Sequence, residues 1–450
     1  MVAAGVAAVA AVSFGPGSAT AGRAEALREV EQRFHLAPGR TRAFVVRPSR
    51  PAGRLEVRAE AVGCRRGGRL SVRPPRGGRL VFDVSRPRRW TRVAMPLAEG
   101  AHRLRLRFLA PRGGPLCKVV LRGRPRPLGR SIELGAAARA DRVSDPRYAR
   151  TLVRNFDSLT PENEMKMLFL QPRRGQFNFE PADALVRLAR RNEMAVRGHT
   201  LVYGLQLPAW VESPRKPWTR RALLAVMRRH ITKVVGRYRG RVSQWDVVNE
   251  AFEPDGRYIR NAWFRAIGPS YVEHAFRAAR RADPRAALFI NENSAELASS
   301  PKTRALYRLV RRLKWRGVPI DGVGLQNHTD TVIYPRRKPL EATMRRFADL
   351  GLRVEVTEMD VVTNPRRDRT VELGKQALAF TAAEQACRAV AACSRITAWG
   401  FTDNTTWRRP SELPLLFDRR YREKPSFEAL ARGVGLPSAA RRARRAVTAR

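Results

Sequence analysis

The chain has 450 residues, 43% of them hydrophobic, which is enough for two or three domains or for an α/β barrel with an accessory domain. No run approaches the roughly 18 consecutive apolar residues of a membrane span, which excludes a transmembrane protein. The formal charge of +48 raises nucleic acid or an acidic polymer as a partner, but the arginines are spread along the whole chain. This spread favours a compositional bias over a binding surface, and we predict no nucleic-acid partner.

Residues 1–22 read "MVAAGVAAVAAVSFGPGSATAG", a short Ala/Val run followed by an A-x-A cleavage pattern at Ala19-Thr20-Ala21. No Lys or Arg precedes the run. Two interpretations follow: a signal peptide with a misassigned start codon, or a disordered Ala-rich leader. The first predicts a secreted, extracellular protein.

The four cysteines show no C-x-x-C spacing of a zinc or redox site. In an exported protein they fit two disulfides, Cys64 with Cys117 and Cys387 with Cys393. Four unrelated buried thiols are the alternative. We expect no metal site and no cofactor, because the chain has no metal-ligand motif, phosphate loop or dinucleotide fingerprint.

Residues 42–128 contain seven short runs with period-two alternation, from "RAFVVRP" to "CKVVLRG", separated by Gly and Pro. This pattern predicts a small all-β sandwich. Trp90 is its only tryptophan, and a carbohydrate-binding role and a structural role both remain open.

Residues 129–435 alternate apolar strands with amphipathic helices. The predicted strands are "IELGAA", "FDSLTPEN", "MAVRGHTLV", "QWDVVNEAF", "ALFINEN", "GVGLQNH", "RVEVTEMD" and "ITAWGFTD". Eight strands separated by helices predict an α/β fold, the (β/α)8 TIM barrel. The basic stretch 436–450 lacks an apolar face and is expected to be disordered.

Polar side chains follow these strands at their carboxyl ends, the end at which a barrel carries its active site. They are Asn163, His199, Asn249, Glu250, Asn291, Gln326, His328, Glu358 and Asp403.

Glu250 and Glu358 end the fourth and seventh strands, on opposite sides of a ring whose interior is only wide enough for side chains. Glycoside hydrolysis needs such a pair: one carboxylic acid protonates the leaving oxygen, and the other attacks the anomeric carbon or activates a water. Asn249 is suited to bind a sugar 2-hydroxyl, and His328 to orient Glu358. Trp399 and Trp407 offer flat faces for sugar rings.

The stretch from about 129 to 435 resembles glycoside hydrolase family 10 endo-1,4-β-xylanases. The resemblance is carried by "FDSLTPENEMK", "RGHTLV", "QLPAW", "WDVVNEAF", "GVGLQNH", "VEVTEMDV" and "PLLFD", in family order and spacing.

The resemblance implies a retaining mechanism with Glu250 as general acid/base and Glu358 as nucleophile. It implies that Glu162, Asn163 and Lys166 bind the distal glycone sugar. Around the scissile sugar it places His199, Gln206, Asn249, Gln326, His328, Trp399 and Trp407. The family's C-x5-C disulfide corresponds to Cys387 and Cys393.

Three departures from the family pattern lie beside the expected cleft. Tyr203-Gly204-Leu205-Gln206 stands where the family has Trp-His-Ser-Gln, and Met167 stands in place of a tryptophan. Asn291-Glu292-Asn293-Ser294 replaces Asn-Asp-Tyr-Asn. We expect altered affinity, rate or preferred chain length rather than loss of activity.

The sequence therefore predicts a secreted, monomeric, retaining endo-1,4-β-xylanase that hydrolyses internal bonds of xylan or a related β-1,4-linked plant polysaccharide. The alternative is a polysaccharide-binding protein on the same barrel with weak or lost turnover.

Overall fold

The computed structural model of the protein describes residues 132–434 in full and, earlier in the chain, only the backbone of short strands. The chain divides into two compact units, residues 1–131 and 132–450, close to the predicted boundary. Most of the predicted leader, the basic tail and the side chains of Cys64 and Cys117 lie outside the described residues, so these three features stay predictions.

In the first unit, the described backbone forms two sheets. One contains Ala10–Ala11, Thr41–Val46, His102–Leu109, Arg69–Arg73 and Leu80–Asp83, and the other contains Val30–Leu36, Cys117–Arg126, Arg54–Val62 and Thr91–Pro96. Seven of these segments coincide with predicted strands. Their side chains lie outside the described residues, so the packing of a sandwich stays a prediction.

The second unit contains the eight predicted parallel strands. They are β1 (Glu133–Ala138), β2 (Ser158–Pro161), β3 (Ala195–Tyr203), β4 (Gln244–Asn249), β5 (Ala287–Glu292), β6 (Gly322–Leu325), β7 (Arg353–Val362) and β8 (Arg395–Ala398). Each strand pairs with the next, and β1 pairs with β8 in the register Glu133 to Arg395, which closes the ring. The predicted (β/α)8 barrel is therefore confirmed.

Helices cover the outside of the ring. They are α1 (Pro146–Asn155), α2 (Met167–Leu170), α3 (Glu180–Arg191), α4 (Ala209–Glu212), α5 (Arg220–Tyr238), α6 (Ala262–Ile267), α7 (Tyr271–Ala282), α8 (Pro301–Trp315), α9 (Arg337–Ala348), α10 (Arg369–Ala389) and α11 (Pro425–Gly433). Within residues 132–434 every helix is too short or too polar to span a bilayer.

The helix starts follow local capping chemistry. The side chain of Asp145 accepts from the backbone N of Arg147 at the start of α1, and Pro146 occupies the first helical position. Ser300 and Asp368 cap α8 and α10 in the same way. These caps satisfy backbone N–H groups that a helix cannot bond internally.

A disulfide joins the end of α10 to the segment before β8. Cys387 and Cys393 are bonded, with their Cα atoms 5.1 Å apart. This pair was predicted, and it is confirmed.

The interior of the barrel contains a buried network of charged side chains from β3, β4 and β7. Arg197 on β3 forms ion pairs with Asp246 on β4 and Glu355 on β7, and all three side chains are at most 1% exposed. Gln244 also donates to Glu355 at 2.7 Å. Because buried charges are costly unless paired, this network fixes the relative positions of three strands beneath the rim.

Close packing around the barrel wall leaves room only for glycine at some positions. A Cβ built on Gly198 in β3 would lie 2.2 Å from the indole of Trp245, which is fully buried. Gly236 in α5 has nothing within 4 Å of such an atom.

We expect these two glycines to respond to alanine with opposite signs. Gly198→Ala should lower the free energy of unfolding by roughly 2–3 kcal/mol, because overpacking displaces Trp245. Gly236→Ala should raise it by roughly 0.5–1 kcal/mol, because alanine favours the helix. Urea unfolding of both variants checks this, and a Gly198→Ala protein as stable as wild type would contradict the packing described here.

Candidate active site

The carboxyl ends of β4 to β7 bring the predicted catalytic residues to one mouth of the barrel. Glu250 directly follows β4, and Glu358 lies within β7. Glu250 has a φ of 52°, a left-handed conformation that few non-glycine residues adopt. Its backbone N donates to the carbonyl of Asn291 at 2.9 Å, which anchors the turn. Strained backbone of this kind concentrates at functional sites.

A continuous chain of amides connects the two carboxyl groups. Gln326 Nε2 donates to Glu250 Oε1 at 3.0 Å and lies 3.3 Å from Asn249 Oδ1. Asn291 Nδ2 donates to the same Asn249 oxygen at 2.8 Å and to Glu358 Oε1 at 2.5 Å. Glu250 and Glu358 are therefore held in one hydrogen-bonded unit.

Two histidines flank Glu358. His328 Nε2 lies 3.3 Å from Oε2, and His199 Nδ1 lies 3.8 Å from Oε1. Burial alone would raise the pKa of Glu358, but the charge of His199 and the hydrogen bond with His328 hold that pKa below its usual range. Glu358 is therefore a carboxylate at neutral pH, the form a nucleophile needs.

Asp360 holds His328 from the other side. His328 Nδ1 lies 2.9 Å from Asp360 Oδ2, and Trp407 Nε1 donates to the same oxygen at 2.7 Å. Burial lowers the pKa of His328, but the charges of Asp360 and Glu358 and the hydrogen bonds to them outweigh it and raise the pKa to about 10. The imidazole is therefore a cation between two carboxylates.

His199 is oriented by the buried charge network. Its Nδ1 lies 3.0 Å from Asp246 Oδ2, the carboxylate that also pairs with Arg197. Burial raises the pKa of Asp246, but the charge of Arg197 and the hydrogen bonds with His199 and Arg197 together outweigh it, so the net pKa is lowered. A buried ion pair below the rim thus fixes the imidazole that faces Glu358.

The second oxygen of the Glu250 carboxyl group has a different partner. Tyr203, the last residue of β3, donates its hydroxyl to Glu250 Oε2 at 2.9 Å. Both oxygens of Glu250 therefore accept a hydrogen bond, one from Gln326 and one from Tyr203.

The predicted distal group lies after β2. Lys166 Nζ donates to Asn163 Oδ1 at 3.0 Å, and Asn163 Nδ2 lies 3.5 Å from Glu162. Burial raises the pKa of Glu162 to about 7 against the opposing charges of Arg139 and Lys166. Burial also lowers the pKa of Lys166, although Glu358, Glu162 and Glu250 oppose it. Lys166 therefore interacts electrostatically with both Glu250 and Glu358.

The two indoles differ in exposure. Trp399 is 6% exposed, and its ring meets His199 edge-on at 4.9 Å with Lys166 Nζ 5.8 Å from its centroid. Trp407 is 50% exposed, with its ring 5.1 Å from that of His328. Trp407 is therefore half exposed, with the guanidinium of Arg408 4.1 Å from its ring centroid, while Trp399 is buried.

Gln206 and Asp403 are the last two of the predicted residues. Gln206 is half-buried between β3 and α4, where its backbone carbonyl accepts from Leu168 N at 3.2 Å. Asp403, expected on the rim, is 1% exposed and binds Lys424 Nζ at 2.9 Å and Leu415 N at 2.8 Å. It secures the segment after β8 rather than lining the opening.

Sequence reasoning assigned no role to Asp246 or Asp360 and did not find the contact from Tyr203 to Glu250. The alternation of side chains along a strand offered one signal for Asp360. It follows Glu358 by two positions in β7, so the two side chains share a face. Asp246 is a charged residue between Trp245 and Val247 in a strand with apolar neighbours, and a buried charge there needs a partner. The Tyr203 contact has no such local signal.

The site chemistry and the fold agree with a known family. A family model described as Glycosyl hydrolase family 10 matches residues 128–432. The chain belongs to glycosyl hydrolase family 10. The predicted glycoside hydrolase is thereby confirmed.

Related proteins support the assignment to family 10. Endo-1,4-beta-xylanase B of Thermotoga neapolitana is 37% identical over 309 residues, which cover 67% of this chain and 88% of that protein. The crystal structure of native xylanase 10B from Thermotoga maritima is similar with a TM-score of 0.65 and 38% identity, over 68% of this chain and 96% of that one. Xylanase 10B from Thermotoga petrophila RKU-1, in complex with xylobiose, matches with the same TM-score and identity, over 68% and 94%.

Among residues 132–434 no group of three or more His, Cys, Asp or Glu side chains could hold a metal ion. The reaction class of the family needs only the two carboxyl groups.

We expect His328 to remain charged through neutral pH and to titrate near pH 10, because Asp360 and Glu358 stabilise the imidazolium. NMR titration of labelled histidines checks this. His230 is an internal control, since burial alone lowers its pKa to about 4. Asp360→Asn should lower the pKa of His328 by roughly 1 to 3 pH units. Titration of wild-type His328 near its ordinary value would contradict the site electrostatics.

Proposed function

We propose that this protein is a retaining endo-1,4-β-xylanase that hydrolyses internal β-1,4-xylosidic bonds of xylan by double displacement. The observation that carries the proposal is the single hydrogen-bonded unit of Glu250, Gln326, Asn249, Asn291 and Glu358. This unit connects, through shared amides, the two carboxyl groups that double displacement needs.

In the first step, Glu358 attacks the anomeric carbon as a carboxylate while Glu250 protonates the leaving glycosidic oxygen. The bond to the leaving sugar breaks as the bond from Glu358 to the anomeric carbon forms. His199 and His328 support this step, because they stabilise the Glu358 carboxylate before attack.

In the second step, Glu250 acts as a base and removes a proton from water, which attacks the anomeric carbon and releases Glu358. Two inversions give net retention, for which carboxyl groups roughly 5 to 5.5 Å apart are required. Asn249, the residue before the acid, is proposed to bind the 2-hydroxyl, a contact that strengthens as charge develops at the anomeric carbon.

The sugar-binding roles follow from chemistry and position. We assign the distal glycone sugar to Glu162, Asn163 and Lys166, a carboxyl, an amide and an ammonium group that together match several hydroxyls. Trp407, half exposed above His328, is suited to stack on a sugar ring. The choice of xylan draws on the relatives, which are named xylanases, and on the relative in complex with xylobiose.

Three wider features belong to the proposal. The protein is secreted and acts outside the cell as a monomer. Residues 42–128 form an all-β sandwich, with a carbohydrate-binding or a structural role. The excess of arginine would hold the enzyme on xylans that carry uronic acid groups, since opposite charges attract at a surface.

A second candidate is a polysaccharide-binding protein without turnover. Met167 and Gly204 favour it, because they remove an indole and an imidazole that the family pattern places beside the cleft. The paired carboxyl groups and the charged histidine favour the enzyme, since sugar binding alone does not need them.

We expect Glu358→Ala and Glu250→Ala to lower the release of reducing sugar from xylan by about 10³-fold or more, because each removes a group that acts in the transition state. Glu253→Ala, an exposed carboxylate three positions after Glu250, is the matched control and should keep the wild-type rate.

Proton NMR of fresh digests should show the β-anomer first, as retention requires. A wild-type rate no higher than that of Glu358→Ala would establish the binding protein instead. Initial release of the α-anomer would exclude double displacement.

A further inference from the structure

Tyr203 is placed to act on the proposed acid/base. Its hydroxyl lies 2.9 Å from Glu250 Oε2, and the opposite oxygen of the same carboxyl group accepts from Gln326 at 3.0 Å. A carboxyl group bonded at both oxygens has lost its freedom to rotate. Tyr203 stands where the family pattern has tryptophan, so this contact belongs to the departures of this chain.

The backbone of Tyr203 is fixed by its surroundings. Trp263 on α6 donates Nε1 to the carbonyl of Tyr203 at 3.1 Å. Gly204 follows, and a Cβ there would lie 2.5 Å from Asn261 Nδ2, so the absence of a side chain lets the segment dock on α6. The glycine and the tyrosine therefore form one local arrangement that aims the phenol at Glu250.

The electrostatics keep the phenol a donor. Burial, followed by the negative charge of Glu250, raises the pKa of Tyr203 above its usual range, and Glu358 and Glu292 act in the same direction. Lys166, at the start of α2, also interacts electrostatically with Glu250. A neutral phenol can donate to the ionised carboxyl group, and such a bond favours the ionised form.

We propose that Tyr203 is a positioning residue for Glu250, which holds the carboxyl group in place and favours its ionised state. The inference rests on the proposed function of Glu250. In the second step Glu250 must be a carboxylate that faces the incoming water, so Tyr203 supports the general-base step.

The test is Tyr203→Phe, which removes one hydroxyl and keeps the ring. On unactivated xylo-oligosaccharides, the alkaline limb of kcat/KM against pH reports the proposed acid in the free enzyme. Without the hydrogen bond, the protonated form of Glu250 persists to higher pH, so this limb should move up by roughly 0.5–1 pH unit. Tyr307→Phe, which removes a phenol on α8 outside the site, should leave the limb unmoved.

A second readout separates the two steps. A dinitrophenyl xylobioside needs no acid to depart, so its turnover is limited by the general-base step. Tyr203→Phe should lower kcat on this substrate by about 5- to 10-fold while kcat/KM stays near wild type. A merely structural defect would lower both.

Replacement of Tyr203 with 3-fluorotyrosine preserves the packing and makes the phenol a stronger donor. The fluorinated variant should move the alkaline limb of kcat/KM to lower pH, which is the opposite of the shift expected for Tyr203→Phe. If both variants keep the wild-type limb while wild-type protein hydrolyses xylan, this inference is wrong and the proposed function stands. If wild-type protein hydrolyses no xylan, the proposed function fails first.

Discussion

The arrangement of the site depends on the amide chain between Glu250 and Glu358. Gln326, Asn249 and Asn291 come from three neighbouring strands, and each forms hydrogen bonds that fix its amide orientation. The chain can exist only where the parallel strands end at matching heights, which the closed ring imposes. A shift of one strand by one residue would reverse its side chains and break the connection.

Below the amide chain, paired buried charges orient the two histidines that flank Glu358. Arg197 pairs with Asp246, Asp246 contacts His199, and His199 faces Glu358. A second series runs from Trp407 through Asp360 to His328 and reaches the other oxygen of Glu358. Because each charge is costly to bury alone, the members of a series constrain one another. The ionised state of Glu358 is therefore a property of the whole network.

Local patterns predicted the eight strands, the barrel, the Cys387–Cys393 bond and the position of the two carboxyl groups at the rim. Each of these features depends on hydrophobic periodicity or on the spacing of residues that are close together in the chain. The contacts of Asp246, Asp360 and Tyr203 depend on register and rotamer across strands far apart in the chain. The Tyr203 position appeared only as a missing tryptophan, because a sequence shows what a substitution removes more readily than what it adds. Asp403 shows the reverse error, since its position in the chain matched the rim but its side chain binds Lys424.

The departures from the family pattern change the surroundings of the pair without separating it. Tyr203 donates a hydrogen bond to the proposed acid, and Lys302 binds Glu292, the last residue of β5, and Asn293, which follows it. Substituted residues in both segments therefore form hydrogen bonds or ion pairs within the site.

In the proposed mechanism, Glu358 forms a covalent bond with the sugar while Glu250 serves as acid and base. The test is incubation with a 2-deoxy-2-fluoro-xylobioside that bears a dinitrophenyl leaving group. The fluorine slows both steps but slows the second more, so the intermediate accumulates. Mass spectrometry of the intact protein and its peptides should find one fluoroxylobiosyl group, attached to Glu358. A label on Glu250, or hydrolysis of the reagent with no adduct on either residue, would contradict this account.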